Sequence, residues 1–179
     1  KTEVAREALA AGAAMINDVW GLKHDPSLAA LAAREAVPIV LMHNQRGTSY
    51  DDLIPDMMAS LRRSMQTALE AGVPEENIIL DPGIGFGKTA EHNLEVLRRL
   101  EEFGALGRPL LVGTSHKSII GLVLDLPVEE RLEGTAATVA LAIAEGADVV
   151  RVHDVKAMAR VARMADAVVR GWQRPESPT

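Results

Sequence analysis

Leu80-Asp81-Pro82-Gly83-Ile84-Gly85-Phe86-Gly87-Lys88 is the segment whose residue types and spacing suggest chemistry most sharply. Three glycines in five positions let the backbone approach a ligand closely and take positive φ. Asp81 stands where an apolar strand runs out and the loop begins. A carboxylate there can accept two parallel N–H bonds from a flat, amidine-like edge. It can equally brace or cap the turn. Glycines followed by Lys88-Thr89 also suggest a phosphate loop, but the spacing is one residue short of G-x-x-x-x-G-K-[ST], so that reading is rejected.

Two further segments carry chemistry. Gly113-Thr114-Ser115-His116-Lys117-Ser118 lies between a strand and a helix start. Free N–H groups at a helix N-terminus attract an anion such as a carboxylate, and Lys117 can donate to a carbonyl or ring nitrogen. The plain alternative is a capped helix start with a solvated lysine. In Val150-Arg151-Val152-His153-Asp154, Arg151 and His153 are two apart at a strand end and point to the same side. Two converging donors suit a phosphate or pyrophosphate. Otherwise Arg151 pairs with Asp154 or Asp148, since a buried arginine without a partner is costly. Asn17 and Asp18 end an earlier strand, and an asparagine both donates and accepts, as reading a heterocycle edge requires. A strand-end turn explains the same pair. His43 follows Met42 at another strand end, where a lone histidine is more often structural. His24 and His92 read as helix-start residues, and the other methionines as packing.

Short β-branched runs alternating with amphipathic helical stretches must position these groups. The spacing predicts helices over 2–11, 26–36 (with Asp25 as its cap), 56–71, 91–103, 118–124, 128–145 and 155–171. Strands are expected over 14–19, 37–42, 77–80, 110–113 and 148–152. Val37-Pro38-Ile39-Val40-Leu41-Met42 is a continuous apolar run, the pattern of a strand buried on both faces. Alternating elements imply parallel strands with right-handed crossovers. Polar residues close nearly every strand, which is the habit of a (β/α)8 barrel rather than of an open sheet with one switch point. The expected class is therefore α/β, a parallel TIM-barrel type with about five of eight βα units. The chain begins without Met, within a helical pattern, and reads as lacking the first three units. Residues 1–173 form the expected barrel domain, and 174–179, polar and Pro-rich, a disordered tail.

With 179 residues, 47% of them hydrophobic and 25% charged, the chain suits one soluble domain. A net charge of -6 argues against a nucleic-acid surface, which needs a basic stripe. It leaves room for a small anionic substrate, because a few local cations can reverse the field in a cleft. The absence of cysteine removes disulfides, thiolate zinc sites and a cysteine nucleophile together, and fits a cytoplasmic protein. No apolar run reaches the ~20 residues that span a bilayer, and the charged start does not read as a signal peptide.

Taken together, the segments resemble dihydropteroate synthase, in the family's order: I-N-D-V at 16–19, L-M-H at 41–43, L-D-P-G-x-G-F-G-K at 80–88, G-x-S-x-K-S at 113–118 and R-V-H-D at 151–154. The resemblance implies a (β/α)8 barrel that joins p-aminobenzoate to hydroxymethyl-dihydropterin pyrophosphate, with Mg²⁺ helping the pyrophosphate leave. By the same resemblance, Asn17, Asp81, Gly85 and Lys117 bind the pterin and Met42 packs on its face. Arg151 and His153 hold the pyrophosphate and, with Lys117, make the catalytic set. Phe86 and Ser118 contact p-aminobenzoate. It also implies a cytoplasmic homodimer, and the apolar content of 135–143 and 155–169 points to late helices as its interface. The metal ligand is expected before Lys1, so 1–179 alone is expected to be inactive. His116 stands where the family usually has arginine. A corrinoid-type pterin-binding methyltransferase shares the barrel and the Asn17 and Asp81 positions, but has no pyrophosphate to expel and no reason to keep Lys117-Ser118 or Arg151-x-His153. A partner-binding fragment without activity is the alternative from another class.

Overall fold

In a computed structural model, which describes residues 1–172, five short strands alternate with seven helices. The order is α1 (Thr2–Ala10), β1 (Ile16–Asp18), α2 (Ser27–Glu35), β2 (Ile39–Met42), α3 (Leu53–Glu70), β3 (Ile78–Asp81), α4 (Ala90–Arg98), β4 (Leu111–Val112), α5 (Ser118–Leu124), α6 (Leu132–Ala144), β5 (Val149–Val150) and α7 (Val155–Val169). Gln173 and the tail expected over 174–179 lie outside the described residues.

All pairings are parallel, and strand order follows chain order. β1 pairs β2 with Ile16 opposite Ile39, and β2 pairs β3 with Ile39 opposite Ile78. β4 pairs β5 with Leu111 opposite Val149. A bridge between Leu80 and Leu110, with the Leu80 N–H donating to Pro109 O at 2.9 Å, joins the two ladders. Sequential order without a switch point is the arc of a TIM-type barrel, not a doubly wound sheet. Such an arc brings all five strand ends to one rim.

Burial follows from this arrangement. In β2, at the centre of the first ladder, Ile39, Val40, Leu41 and Met42 are all buried, which is why that run is continuously apolar. β1 and β5 flank the arc and are less covered, with Asn17 and Val149 exposed. The main core joins strand residues to the inner faces of α2 and α3, and reaches Phe103. A smaller cluster of Val139, Ile143 and Met158 holds α6 to α7.

Several boundaries differ from the periodicity for identifiable reasons. The stretch expected to be helical over 91–103 leaves α-geometry at Arg99 and continues as a 3-10 turn, Leu100–Leu106, closed by Gly107 at φ 68°. The stretch over 128–145 divides into a 3-10 turn, Val128–Glu130, and α6. Arg131 marks that division, donating to Leu126 O and His116 O. Asp25 does not cap α2: its carboxylate accepts the Thr2 N–H and Thr2 hydroxyl instead, each at 2.9 Å, tying α1 to the start of α2. β1, β2, β4 and β5 are shorter than expected, β2 through the loss of Val37 and Pro38 at its start, while β3 keeps four residues and pairs through Asp81.

Phe103 has no exposed surface and sits in a turn that no pattern forces to fold alone. Phe103→Ala should cost ~3–5 kcal/mol, the usual range for emptying an aromatic core site. Urea denaturation checks this: the midpoint should fall with the slope unchanged.

Candidate active site at the strand ends

Where the five strands end, they enclose a cavity of about 610 Å³. Asn17 comes from β1, Met42 from β2, Asp81 from β3, Lys117 from the loop after β4, and Arg151 and His153 from the loop after β5. Phe86 lines it from the glycine-rich loop. Residues from nearly the whole span of the chain, Asn17 to His153, thus face one space, as the barrel arc dictates.

Asp81 lies at the floor, 7% exposed. Its carboxylate accepts the Gly83 N–H at 2.7 Å, while its backbone carbonyl accepts the His43 N–H at 2.8 Å. Burial raises its pKa to about 6, opposed by the Gly83 bond and by the positive charges of Lys88, Lys117 and Arg151. The loop can pass this close only because Gly83 lacks a side chain. At φ +70° a β-carbon there would sit 2.0 Å from His43 O.

Lys88, the lysine of the rejected phosphate-loop pattern, turns inward and braces this loop. Its Nζ donates to Gly83 O and Phe86 O at 3.0 Å and meets His43 Nδ1 at 3.1 Å. Burial lowers its pKa to about 7, while Asp81 pulls it upward. Burial and Lys88 push His43 down to about 3, so His43 is neutral and structural. Its position after Met42 alone leaves a ligand role open, and these contacts close it.

Lys117 Nζ lies 4.3 Å from the Phe86 ring centroid. Burial lowers its pKa and Asp81 raises it. Gly85 backs this lysine: a β-carbon there would come within 3.1 Å of Lys117 Cδ. Its N–H donates to Asn93 Oδ1 at 2.7 Å, so Gly85 shapes the wall without lining the cavity.

The partners that a purely structural Arg151 would need are engaged elsewhere. Asp154 pairs with His116 at 2.6 Å, and Asp148 accepts the Leu110 N–H at 2.9 Å. His153 is held by Ser115, whose Oγ accepts the His153 backbone N–H at 3.1 Å and lies 2.9 Å from Nδ1. If the one hydroxyl hydrogen of Ser115 goes to Nδ1, the proton of a neutral His153 sits on Nε2, available as a donor.

Not every expected residue arrives at the cavity. Ser118 is exposed at the first position of α5 and does not line it. Asp18 turns away, accepting the Leu22 N–H at 2.6 Å and the Trp20 N–H at 3.2 Å. Ser115, Ile84, Val128 and Glu129 do line it. Sequence reasoning misses them: Ser115 reads only as part of a helix start, and Val128 and Glu129 fall in a stretch read as helix.

The site is thus a cavity in a parallel barrel arc, with an acceptor at its floor and cations around it. The chain belongs to the pterin binding enzyme family, which it matches over residues 1–153. Similar curated proteins are dihydropteroate synthases: that of Bacillus subtilis is 59% identical over 169 residues, covering 94% of this chain and 59% of that protein. The Clostridium beijerinckii enzyme is 53% identical, covering 95% and 64%. The chain thus spans about three fifths of the length of these relatives. Among solved structures, Clostridium difficile dihydropteroate synthase, in the presence of pteroic acid, superposes with a TM-score of 0.93 at 49% identity, over 95% of this chain and 65% of that one. The Thermus thermophilus enzyme in complex with 6HMPPP gives 0.88 at 42% identity, over 94% and 69%.

The raised pKa of Asp81 has a consequence for stability. A carboxyl whose folded pKa exceeds its unfolded one favours the folded state while protonated, so its stabilisation is present at low pH and lost as pH rises towards 6. The shift amounts to about 3 kcal/mol at most, at 1.36 kcal/mol per unit. Asp81→Asn keeps an acceptor for the Gly83 N–H and removes the buried charge. It should raise the melting temperature of the ligand-free protein at pH 8 and leave it nearly unchanged at pH 4. Calorimetry at the two pH values checks this, and equal shifts at both would count against it.

Proposed function

We propose that the protein carrying this chain is a dihydropteroate synthase, joining p-aminobenzoate to 6-hydroxymethyl-7,8-dihydropterin pyrophosphate and releasing pyrophosphate. One observation carries the reading: an almost buried acceptor, Asp81, shares a cavity with Lys117, Arg151 and His153, and neither nearby aspartate neutralises Arg151. That combination suits a neutral heterocycle with paired N–H groups at one end and an anionic leaving group at the other. The names of the similar curated proteins support it.

In this reading Asp81 accepts from the pterin's amidine-like edge, with Asn17 beside it and Lys117 donating to a ring acceptor. Met42 packs against the ring face. The arylamine nitrogen attacks the methylene carbon, the carbon–oxygen bond to pyrophosphate breaks, and the nitrogen gives up a proton. The amine is a neutral nucleophile, so stabilising charge on the departing oxygen matters more than a strong base. Arg151 and His153 supply that stabilisation. Phe86 forms the p-aminobenzoate side, and Ser118 stays outside the cavity at the exposed start of α5. Magnesium, which would add Lewis-acid stabilisation when bound, is not assigned to this chain. Among the described residues no group of three or more His, Asp or Glu lies together, and no step is derived through the metal.

We also propose a cytoplasmic homodimer. Leu141, Met164 and Val168 are exposed along an apolar groove between α6 and α7, a face suited to a second copy. Among the described residues no helix is long and apolar enough to cross a membrane.

Two measurements test these proposals. Arg151→Ala or His153→Ala should depress turnover of the pyrophosphate substrate by about a hundredfold or more, as losing one oxyanion donor does. Either should weaken binding of the free pterin alcohol far less, and equal losses would refute the leaving-group role. Light scattering at micromolar concentration should give a dimer, and Leu141→Glu with Val168→Glu a monomer.

A further inference from the structure

His116 occupies a position that requires unusual support. Its φ is +54°, in the left-handed region that non-glycine residues rarely adopt. Four contacts hold it there. Its backbone N–H donates to Thr135 Oγ1 at 3.1 Å, and its carbonyl accepts from Arg131 at 3.0 Å. Its Nδ1 lies 2.8 Å from Val128 O, and its Nε2 lies 2.6 Å from Asp154 Oδ2. Both ring partners are acceptors: a carbonyl cannot donate, nor can an ionised carboxylate. A neutral imidazole has one N–H and can satisfy only one of them, whereas the imidazolium satisfies both.

Asp154 points to the same conclusion from its own side. It is the N-cap of α7, where an aspartate side chain normally accepts from the helix's own first turn. Here it makes no such bond and is turned to His116. The neighbouring residue, His153, is bound to Ser115, so two adjacent side-chain links stitch the loop after β4 to the loop after β5. Lys117 follows His116 on the first loop, and Arg151 precedes His153 on the second. Val128 O belongs to the turn that forms a third wall of the cavity.

We propose that His116 is a positioning residue: as an imidazolium it clasps the loop carrying Lys117 to the loop carrying Arg151 and His153 and to the Val128–Glu130 turn, so that the donors of the cavity are held in register only while it is protonated. This rests on the catalytic reading above for its effect on turnover, but not for the clasp itself. Asp154 and Val128 O contact the ring, His153 stands edge-on to it at 5.7 Å, Arg131 bonds the His116 carbonyl, and Glu129 and Lys117 line the same cavity. Asp154, and then Val128 O, raise the imidazole's pKa, against desolvation and a lesser opposing effect of Arg131. A folded pKa above the free value means that the clasp is fully made below the free value and lost as pH rises through the raised one. The alkaline side is therefore where the site loosens.

The test has a spectroscopic and a kinetic arm, both on the full-length protein. NMR titration of the His116 ring should give a pKa above 6.5, the ordinary histidine value, and Asp154→Asn should bring it down. A ring titrating at or below 6.5, or unmoved by Asp154→Asn, overturns the proposal. In the kinetic arm, His116→Arg keeps a permanent cation with donors, so it should retain turnover and remove the alkaline limb of the kcat profile. His116→Gln should lower kcat on the order of tenfold or more below the His116 pKa and converge with the wild type on the alkaline side, because loosening by ~1 Å can cost about a hundredfold. An alkaline limb unchanged in His116→Arg also overturns the proposal. If no pterin turnover is found while the NMR shift stands, the catalytic reading fails and the clasp holds.

Discussion

Asp81 is a carboxylate that the fold places almost out of water, and much of the site is arranged around the cost of doing so. Isolated burial of an ionised carboxylate is strongly unfavourable. Three cations approach it from three directions: Lys88 from its own loop, Lys117 from the loop after β4 and Arg151 from the strand end beyond. Lys88 is engaged by Gly83 O, Phe86 O and His43, Lys117 Nζ lies over the Phe86 ring, and Asp81 accepts the Gly83 N–H. The result is a floor that is polar, poorly solvated and only partly neutralised.

Backbone conformation follows from the same constraint. For Asp81 to sit at the end of β3 and still receive an N–H, the chain must fold back at Gly83 against His43 O, closer than any side chain permits. Lys88 then fastens the returning loop to His43 and to the Gly83 and Phe86 carbonyls. One lysine thus both fastens the loop and lends charge to the floor. Its lowered pKa and the depressed pKa of His43 reflect the same crowded, desolvated corner.

How much of this is legible before folding depends on whether the determining contacts are local. The apolar run of β2, the polar strand ends and the alternation of elements are local, and they lead to a parallel barrel arc with its polar strand ends gathered at one rim. Asp81, Lys117, Arg151 and His153 can be placed because each closes a strand or opens a helix. Contacts between distant segments are not legible. Asp25 reaches α1 rather than capping α2, and Ser115 reaches His153 across 38 residues. Val128 and Glu129 carry no turn signal of their own. They leave the helix because Arg131 is drawn to the His116 and Leu126 carbonyls. Ser118 and Gly85 come from family resemblance alone, and the cavity wall reaches neither.

His116 shows how a single ring can link what periodicity treats as separate elements. Its two acceptors belong to residues 12 and 38 positions away, on a turn and at a helix start. Beyond the Ser115–His153 link and the Arg131 bond to the His116 carbonyl, apolar burial adds little to fix either segment: the turn buries none of its residues, and α7 buries only Met158. Where apolar packing is sparse, polar links set the geometry, and links between charged groups do so with a pH dependence that packing lacks. The side of the cavity that carries Lys117, Arg151 and His153 is therefore held differently from the Asp81 floor. β2 and β3 fix the floor by dense apolar burial, to which Asp81 and Lys88 add titrating groups of their own, with pKa values of about 6 and 7. Hydrogen bonds that depend on protonation fix the outer wall, so loss of the clasp should open the outer wall and leave the floor intact.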